Sequence, residues 1–336
     1  MLGPRIRSLR EHHGLTQAEL ARRAGVSRQL IGAVEAGRHR PRIDAAVAIA
    51  RVLETSVEDL LTPESTPLVG AIDPPEEGQH VHLARVGTQQ VCVPVPPSGA
   101  GWAPADAVVR GGSLERLRPE RPAAVVAGCD PALGLIHRLV EHERTCGVVW
   151  ASASSADARQ ALEDGRVHAA VVHGPAGDLP APDPTIRRWR LTGWQVGLAA
   201  DATHGPRWAA TALAGRLAVV QREEGAASQA ALRRATTEAG NDAPPPGPVA
   251  SGHIEAGRLA QQTGYAAVTI EPVALALGLD FHPLEEHRCE VWVSPDHLDD
   301  PGVRRFFDAL TDTEVQHRLG AIGGYDLTDC GTEVVG

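Results

Sequence analysis

Apolar positions follow a helical period over residues 4–61. Ile6 and Leu9 mark a first helix over 4–13, with Arg7 and Arg10 left outside. Leu20, Ala21 and Ala24 share one face of a second helix, and Leu30, Ile31 and Val34 share one face of a third. Thr16 with Glu19 three residues later has the form of a capping box, and Gly25 suits the turn that ends the second helix. Ser27 caps the third. A fourth helix covers 44–53, and Ser56 starts a fifth through Leu61. The expected core of this bundle is Leu9, Leu20, Ala24, Leu30, Val34, Ile43, Val47, Ala50, Val52 and Leu60.

The period then changes. Residues 63–79 hold Pro63, Pro67, Pro74 and Pro75 among acids and read as a linker. Residues 80–86 and 89–95 alternate about a Gly87-Thr88 turn, the pattern of a β-hairpin, and 107–109 adds a third strand to a small β-rich segment over 80–120. His80, His82 and Cys92 fall on adjacent strands there, where packing or solvent accounts for them better than a metal. From residue 121 to 336 short apolar runs alternate with amphipathic stretches. Strands are expected at 123–128, 146–151, 167–173, 216–221, 265–270 and 290–294, with helices between them. That alternation predicts a mostly parallel α/β sheet covered on both faces.

The helical run has further detail. Arg28 and Gln29 stand at the exposed start of the third helix, and such side chains reach guanine and adenine edges in a major groove. Gln17 and Ser27 flank them, and Arg38, Arg40 and Arg42 form a basic loop suited to phosphates. The pattern Leu15-Thr16-Gln17, Ala24-Gly25-Val26-Ser27, Glu35-Ala36-Gly37-Arg38, Pro41 and 53–61 resembles the Cro/repressor-type helix-turn-helix domain of the XRE family. The resemblance implies a DNA-binding head over residues 1–62.

Charge supports that division. The whole chain carries a net −10, yet residues 1–62 hold ten Arg against seven carboxylates. An acidic body is repelled by phosphate, so DNA binding belongs to the head. Every cationic side chain is Arg. The five Cys include no C-x-x-C pair, which argues against a disulfide framework or structural zinc. The Arg-rich start lacks the apolar run of a signal peptide, and no apolar stretch is long enough for a bilayer. A cytoplasmic protein with no membrane partner and no cofactor is expected.

In the α/β part, several strand ends meet small or hydroxyl residues that open a helix: Cys129-Asp130, Ser154-Ser155, Ser228 and Ser251. Free N–H groups at such starts bind anions, and in open α/β sheets they converge on a crevice. His173 and Arg222 lie at other strand ends. Cys129, Asp130, Ser154, Ser155, His173, Arg222, Ser228 and Ser251 are therefore the candidate ligand residues. The segments 128–133, Val172-His173, 275–281 and 323–328 resemble, in order, the two-lobed periplasmic-binding-protein-like domain of molybdate-binding and molybdenum-cofactor-linked regulators. That resemblance implies a ligand sensor and an oxyanion of the molybdate type.

Together these readings predict a multidomain chain: an all-α helix-turn-helix head, a β-rich segment and a two-lobed α/β domain. The expected function is that of a one-component regulator, not an enzyme. Its partners would be a double-stranded DNA operator, a small anionic ligand and a second copy in a homodimer. Two alternatives stay open: an α/β domain that has lost its ligand and serves as a scaffold, and a molybdenum-cofactor-handling enzyme built on Cys129, Asp130 and His173.

Overall fold

The computed structural model describes residues 2–55, 57, 68–95, 104–118, 122–141, 146–180 and 182–334. The chain forms two compact units, Met1–Leu68 and Val69–Gly336.

In the first unit, α1 (Leu2–His12), α2 (Gln17–Ala24), α3 (Arg28–Glu35) and α4 (Ile43–Val52) surround Ile6, Leu20, Ile31, Val34, Ile49 and Leu53. The local signals work as the sequence indicates. Thr16 and Glu19 exchange both bonds of the capping box, and Gly25 ends α2 at φ 66°. The Ser27 hydroxyl accepts the Leu30 N–H.

Three expectations about side chains fail here. Arg10 is buried: its Nε donates to Glu35 Oε1 at 2.7 Å and its Nη1 to the Leu15 carbonyl at 2.7 Å. Ile43 is 82% exposed and Val47 also lies at the surface. The cause is geometric. α4 buries the stripe of Ala46, Ile49 and Ala50, and positions 43 and 47 fall outside it. Of the expected fifth helix, all but residue 57 lies outside the described residues, as does Leu60.

The second unit holds two sheets. Five strands run in the order β1-β3-β2-β4-β5, namely Val69–Gly70, Gln89–Pro94, His80–Val86, Ala107–Arg110 and Ser113–Arg116. β1 lies in the expected linker and pairs parallel to β3, so residues 69–70 are not linker. This sheet packs on the larger one: Ala84, Val86, Val91 and Val93 share a core with Val125, Ala127, Val149 and Val172. His82 is buried, with Nδ1 3.4 Å from Asp106 Oδ2.

The larger sheet has eight strands in the order β11-β10-β12-β9-β13-β8-β6-β7. One half contains β6 (Ala123–Gly128), β7 (Gly147–Ser152) and β8 (Ala169–Pro175). With it pack α5 (Ala132–Glu141), α6 (Ser155–Glu163) and α11 (Pro301–Thr311). The other contains β10 (Val219–Arg222), β11 (Val249–Ala250) and β12 (Ala266–Ile270). Its helices are α7 (Trp208–Leu213), α8 (Ala227–Glu238), α9 (His253–Thr263) and α10 (Glu271–Leu277). A last helix, α12 (Thr313–Ile322), follows α11.

The sheet is mixed where a mostly parallel one was expected. β9 (Arg187–Ala200) and β13 (Asp280–Val293), 14 residues each, run antiparallel at its centre and join the halves. Their polar residues, such as Arg187, Arg188, Glu285 and Glu286, hide the apolar run that marks the shorter buried strands.

Candidate functional site: an interlobe polar cluster and an exposed recognition helix

The head presents a concave surface lined by Gln17, Ser27, Arg28, Gln29, Gly32 and Arg38. Arg28 and Gln29 are exposed on the first turn of α3. Gln17 is held by its neighbour, because its Nε2 donates to Glu35 Oε2 at 2.8 Å. Glu35 thus accepts from Arg10 on α1 and Gln17 on α2, and fixes three helices around the recognition element. Arg40 and Arg42 are exposed but do not line this concavity.

The second cluster lies where the halves of the large sheet meet. Cys129 follows β6, His173 sits near the end of β8, Arg222 ends β10, Ser228 opens α8 and His253 opens α9. All five are buried. Trp194 on β9 and His287 on β13 close the group, with ring centroids 5.7 Å apart and planes 24° apart. His173 lies 4.6 Å from the Trp194 ring.

The eight expected ligand residues divide into two sets. Asp130 is spent on the protein. Its Oδ1 accepts from the Ala132 N–H at 2.9 Å and the Tyr325 hydroxyl at 3.0 Å, and its Oδ2 from the Thr192 hydroxyl at 2.7 Å and Trp194 Nε1 at 3.3 Å. Its role is to tie β9 and the C-terminal segment to the start of α5. Ser154 caps α6 and donates to Asp157 at 2.7 Å. The Ser155 hydroxyl accepts the His173 N–H at 3.1 Å. Ser251 is exposed and donates to Glu255 at 2.6 Å. An Asp or Ser at a helix start readily bonds its own helix, as Asp130, Ser154 and Ser251 do, and Ser155 is spent on the β8 backbone instead. Cys129, His173, Arg222 and Ser228 form the other set: all are buried, the Arg222 charge acts on both Cys129 and His173, and Ser228 lies at the start of the helix that follows Arg222.

What distinguishes this set is unmet bonding. His173 Nε2, Arg222 Nη1, Ser228 Oγ and both ring nitrogens of His253 are buried and find no hydrogen-bond partner among the described residues. The rest of the Arg222 guanidinium is engaged: Nε and Nη2 donate to Glu223 at 3.0 and 2.7 Å, and also to the carbonyls of Ala250 and Ser251. α8 and α9 both start without a side-chain cap, in contrast to α6. Their first N–H groups are thus open to a ligand.

Electrostatics follow from burial. Burial pushes the rings of His173 and His253 well below the ordinary imidazole range, with Arg222 and the neighbouring rings adding to the effect. His287 is also lowered by burial, opposed by Glu285. The Cys129 thiol is pushed up to about 12 by burial, against the pull of Arg222. At neutral pH these histidines are therefore uncharged and the cysteine is a thiol.

Trp194, His253 and His287 escape a reading of strand ends. His287 is in step with Cys289, Val291 and Val293, an alternation that places it inward. His253 directly follows the Ser251-Gly252 helix start, so its position as first helical residue was available from sequence.

Residues 6–60 match a helix-turn-helix family, and residues 136–311 match the PBP superfamily domain. The chain is thus a helix-turn-helix protein with a second, two-lobed domain. It belongs to the HTH-type transcriptional regulators through its head and to the periplasmic-binding-protein superfamily through its larger part. An HTH-type transcriptional regulator of Archaeoglobus fulgidus is 45% identical over 56 residues, 17% of this chain and 80% of that one. The N-terminal DNA-binding domain of SinR from Bacillus subtilis is 32% identical, with TM-score 0.19 over 19% of this chain and 94% of that one. The bromide-bound regulatory domain of HypT from Salmonella typhimurium is 12% identical, with TM-score 0.46 over 62% of this chain and all of that one (100%).

Proposed function

We propose that the chain is a one-component regulator whose head reads a double-stranded DNA operator and whose two-lobed domain binds a small anion between the lobes. The observation that carries the ligand is a pair of buried donors with no partner among the described residues, Arg222 Nη1 and Ser228 Oγ. Each donor left unsatisfied costs about 1–3 kcal/mol. Arg222 Nη1 and Ser228 Oγ come from the β10–α8 segment, next to the uncapped starts of α8 and α9. A small oxyanion or carboxylate accepts from all of them at once. Molybdate belongs to this class and is the oxyanion implied by the family resemblance.

Because the site draws on both halves of the sheet, a bound anion favours the closed arrangement. It changes DNA binding only by its difference in affinity for closed and open forms. In a homodimer, closure alters the spacing of two heads on half-sites about 34 Å apart. The test measures operator affinity, on DNA selected by the full chain, with and without molybdate, tungstate, sulfate, phosphate and small carboxylates. A shift with at least one anion supports the reading. An affinity indifferent to the whole panel removes it and favours a scaffold.

A further inference from the structure

We propose that Cys129, His173 and His253 hold a divalent d-block metal ion of the zinc type, with a fourth coordination position left for the effector. The anion in that fourth position rests on the function proposed above; the metal site does not.

One ring nitrogen of each histidine and the Cys129 sulfur lie within 4.8 Å of one another, and all three residues are buried. Metal–ligand bonds of 2.0–2.3 Å put ligand atoms roughly 3.5 Å apart in a tetrahedral site. A contraction of about 1 Å therefore completes the site. Cys129 and His173 belong to one lobe and His253 to the other, so a closing of the lobes moves His253 toward the other two.

The hydrogen bonds around His173 set its ring for this role. The Glu285 carboxylate only accepts, so His287 Nε2, 3.1 Å from Glu285 Oε2, carries the proton. His287 Nδ1 is then a bare acceptor, and it lies 3.0 Å from His173 Nδ1. His173 Nδ1 must donate, which leaves a lone pair on His173 Nε2, the atom without a partner. An unpartnered lone pair on a buried ring beside Cys129 and His253 repels an anion and suits a metal. A carboxylate that orients a ligating imidazole through its second nitrogen is the usual support of such sites, here extended by one ring. His253 offers two more unpartnered nitrogens.

The donor set fits the ion. One thiolate and two imidazoles with an open position suit zinc, whose catalytic and exchangeable sites keep three protein ligands. Binding replaces the Cys129 proton and leaves one net positive charge. Glu223 already pairs with Arg222, so the charge is answered by an anion at the fourth position beside Arg222 Nη1 and Ser228 Oγ.

The test titrates cobalt(II) into the full chain stripped by chelator, then displaces it with zinc. The expected result is one cobalt per chain with the intense visible bands of a tetrahedral ion and a thiolate charge-transfer band. Cys129→Ser should abolish the charge-transfer band, and His253→Gln should weaken zinc binding at least tenfold. Far-UV circular dichroism reports the fold of both variants. Should a variant not fold, protection of Cys129 in the wild-type chain against alkylation by zinc, mapped by mass spectrometry, takes its place. A weak six-coordinate spectrum, bands that survive both substitutions, or no zinc protection of Cys129 overturns the site. Anion binding without a cobalt site leaves the regulator reading and removes the metal; a cobalt site without anion binding does the reverse.

Discussion

His173 on β8 and His287 on β13 face each other with their Nδ1 atoms 3.0 Å apart. One ring is thereby fixed by the other, and His287 is fixed in turn by Glu285 from the same crossing strand. The relation ties the ring state in the interlobe cluster to a strand that belongs to both lobes.

A pH dependence follows. His173, His253 and His287 are all depressed in the folded chain, and an unfolded imidazole titrates near 6.5. The unfolded chain therefore takes up protons first as pH falls. Stability contributed by these rings is present above about pH 6.5 and is lost below it. Each ring adds a slope of up to about 1.4 kcal/mol per pH unit in that window. Denaturant unfolding of chelator-stripped chains between pH 7 and 5 should show a shallower slope for His253→Gln than for the wild-type chain. Equal slopes would remove the assignment of a neutral His253.

Arg28 stands exposed on the first turn of α3. Arg28→Ala should cost about 1–3 kcal/mol in operator binding and relax preference at one base pair. Competition binding against single-base operator variants checks it. A loss equal on every sequence would reassign Arg28 to phosphate.

Arg38, Arg40 and Arg42 are exposed beside that helix, with Arg38 lining the concavity. Replacing all three with Gln should weaken binding to any duplex and flatten the salt dependence by up to about 0.9 for each phosphate no longer neutralised. An unchanged salt slope would exclude phosphate binding by this loop.

Serines at two helix starts separate a cap from a ligand group. Ser154 caps α6 and Ser228 Oγ has no partner among the described residues. Ser154→Ala should destabilise the chain by about 1 kcal/mol. Ser228→Ala should leave it unchanged or slightly more stable, because an unmet buried hydroxyl is removed. Unfolding curves of the two variants without ligand compare these directly. A destabilised Ser228→Ala chain would show that the hydroxyl has a structural partner.

How far the sequence carried depended on how local each signal was. The caps at Thr16 and Ser27 and the Gly25 turn involve residues a few positions apart, and the structure places each as expected. Arg10 and Glu35 pair across 25 positions, and nothing in their surroundings announces it. β9 and β13 resist for a related reason. Their pairing is long-range, and their mixed polar and apolar runs resemble neither a buried parallel strand nor a half-exposed one. In the crevice, a hydroxyl at a helix start was visible, but whether it caps its own helix or faces the interior depends on tertiary packing. Ser154 and Ser228 went opposite ways.

The central claim is that the interlobe cluster binds an anion. Calorimetric titration of the full chain with the anion panel, repeated on Ser228→Ala, tests it most directly. The account predicts that at least one anion binds with one site per chain. It also predicts a stabilisation of roughly 2.7 kcal/mol at a hundredfold excess over Kd. The Ser228→Ala affinity should be about tenfold lower, the equivalent of one hydrogen bond to a charged ligand. Heats of dilution alone across the panel, or an anion held equally well by Ser228→Ala, would contradict it.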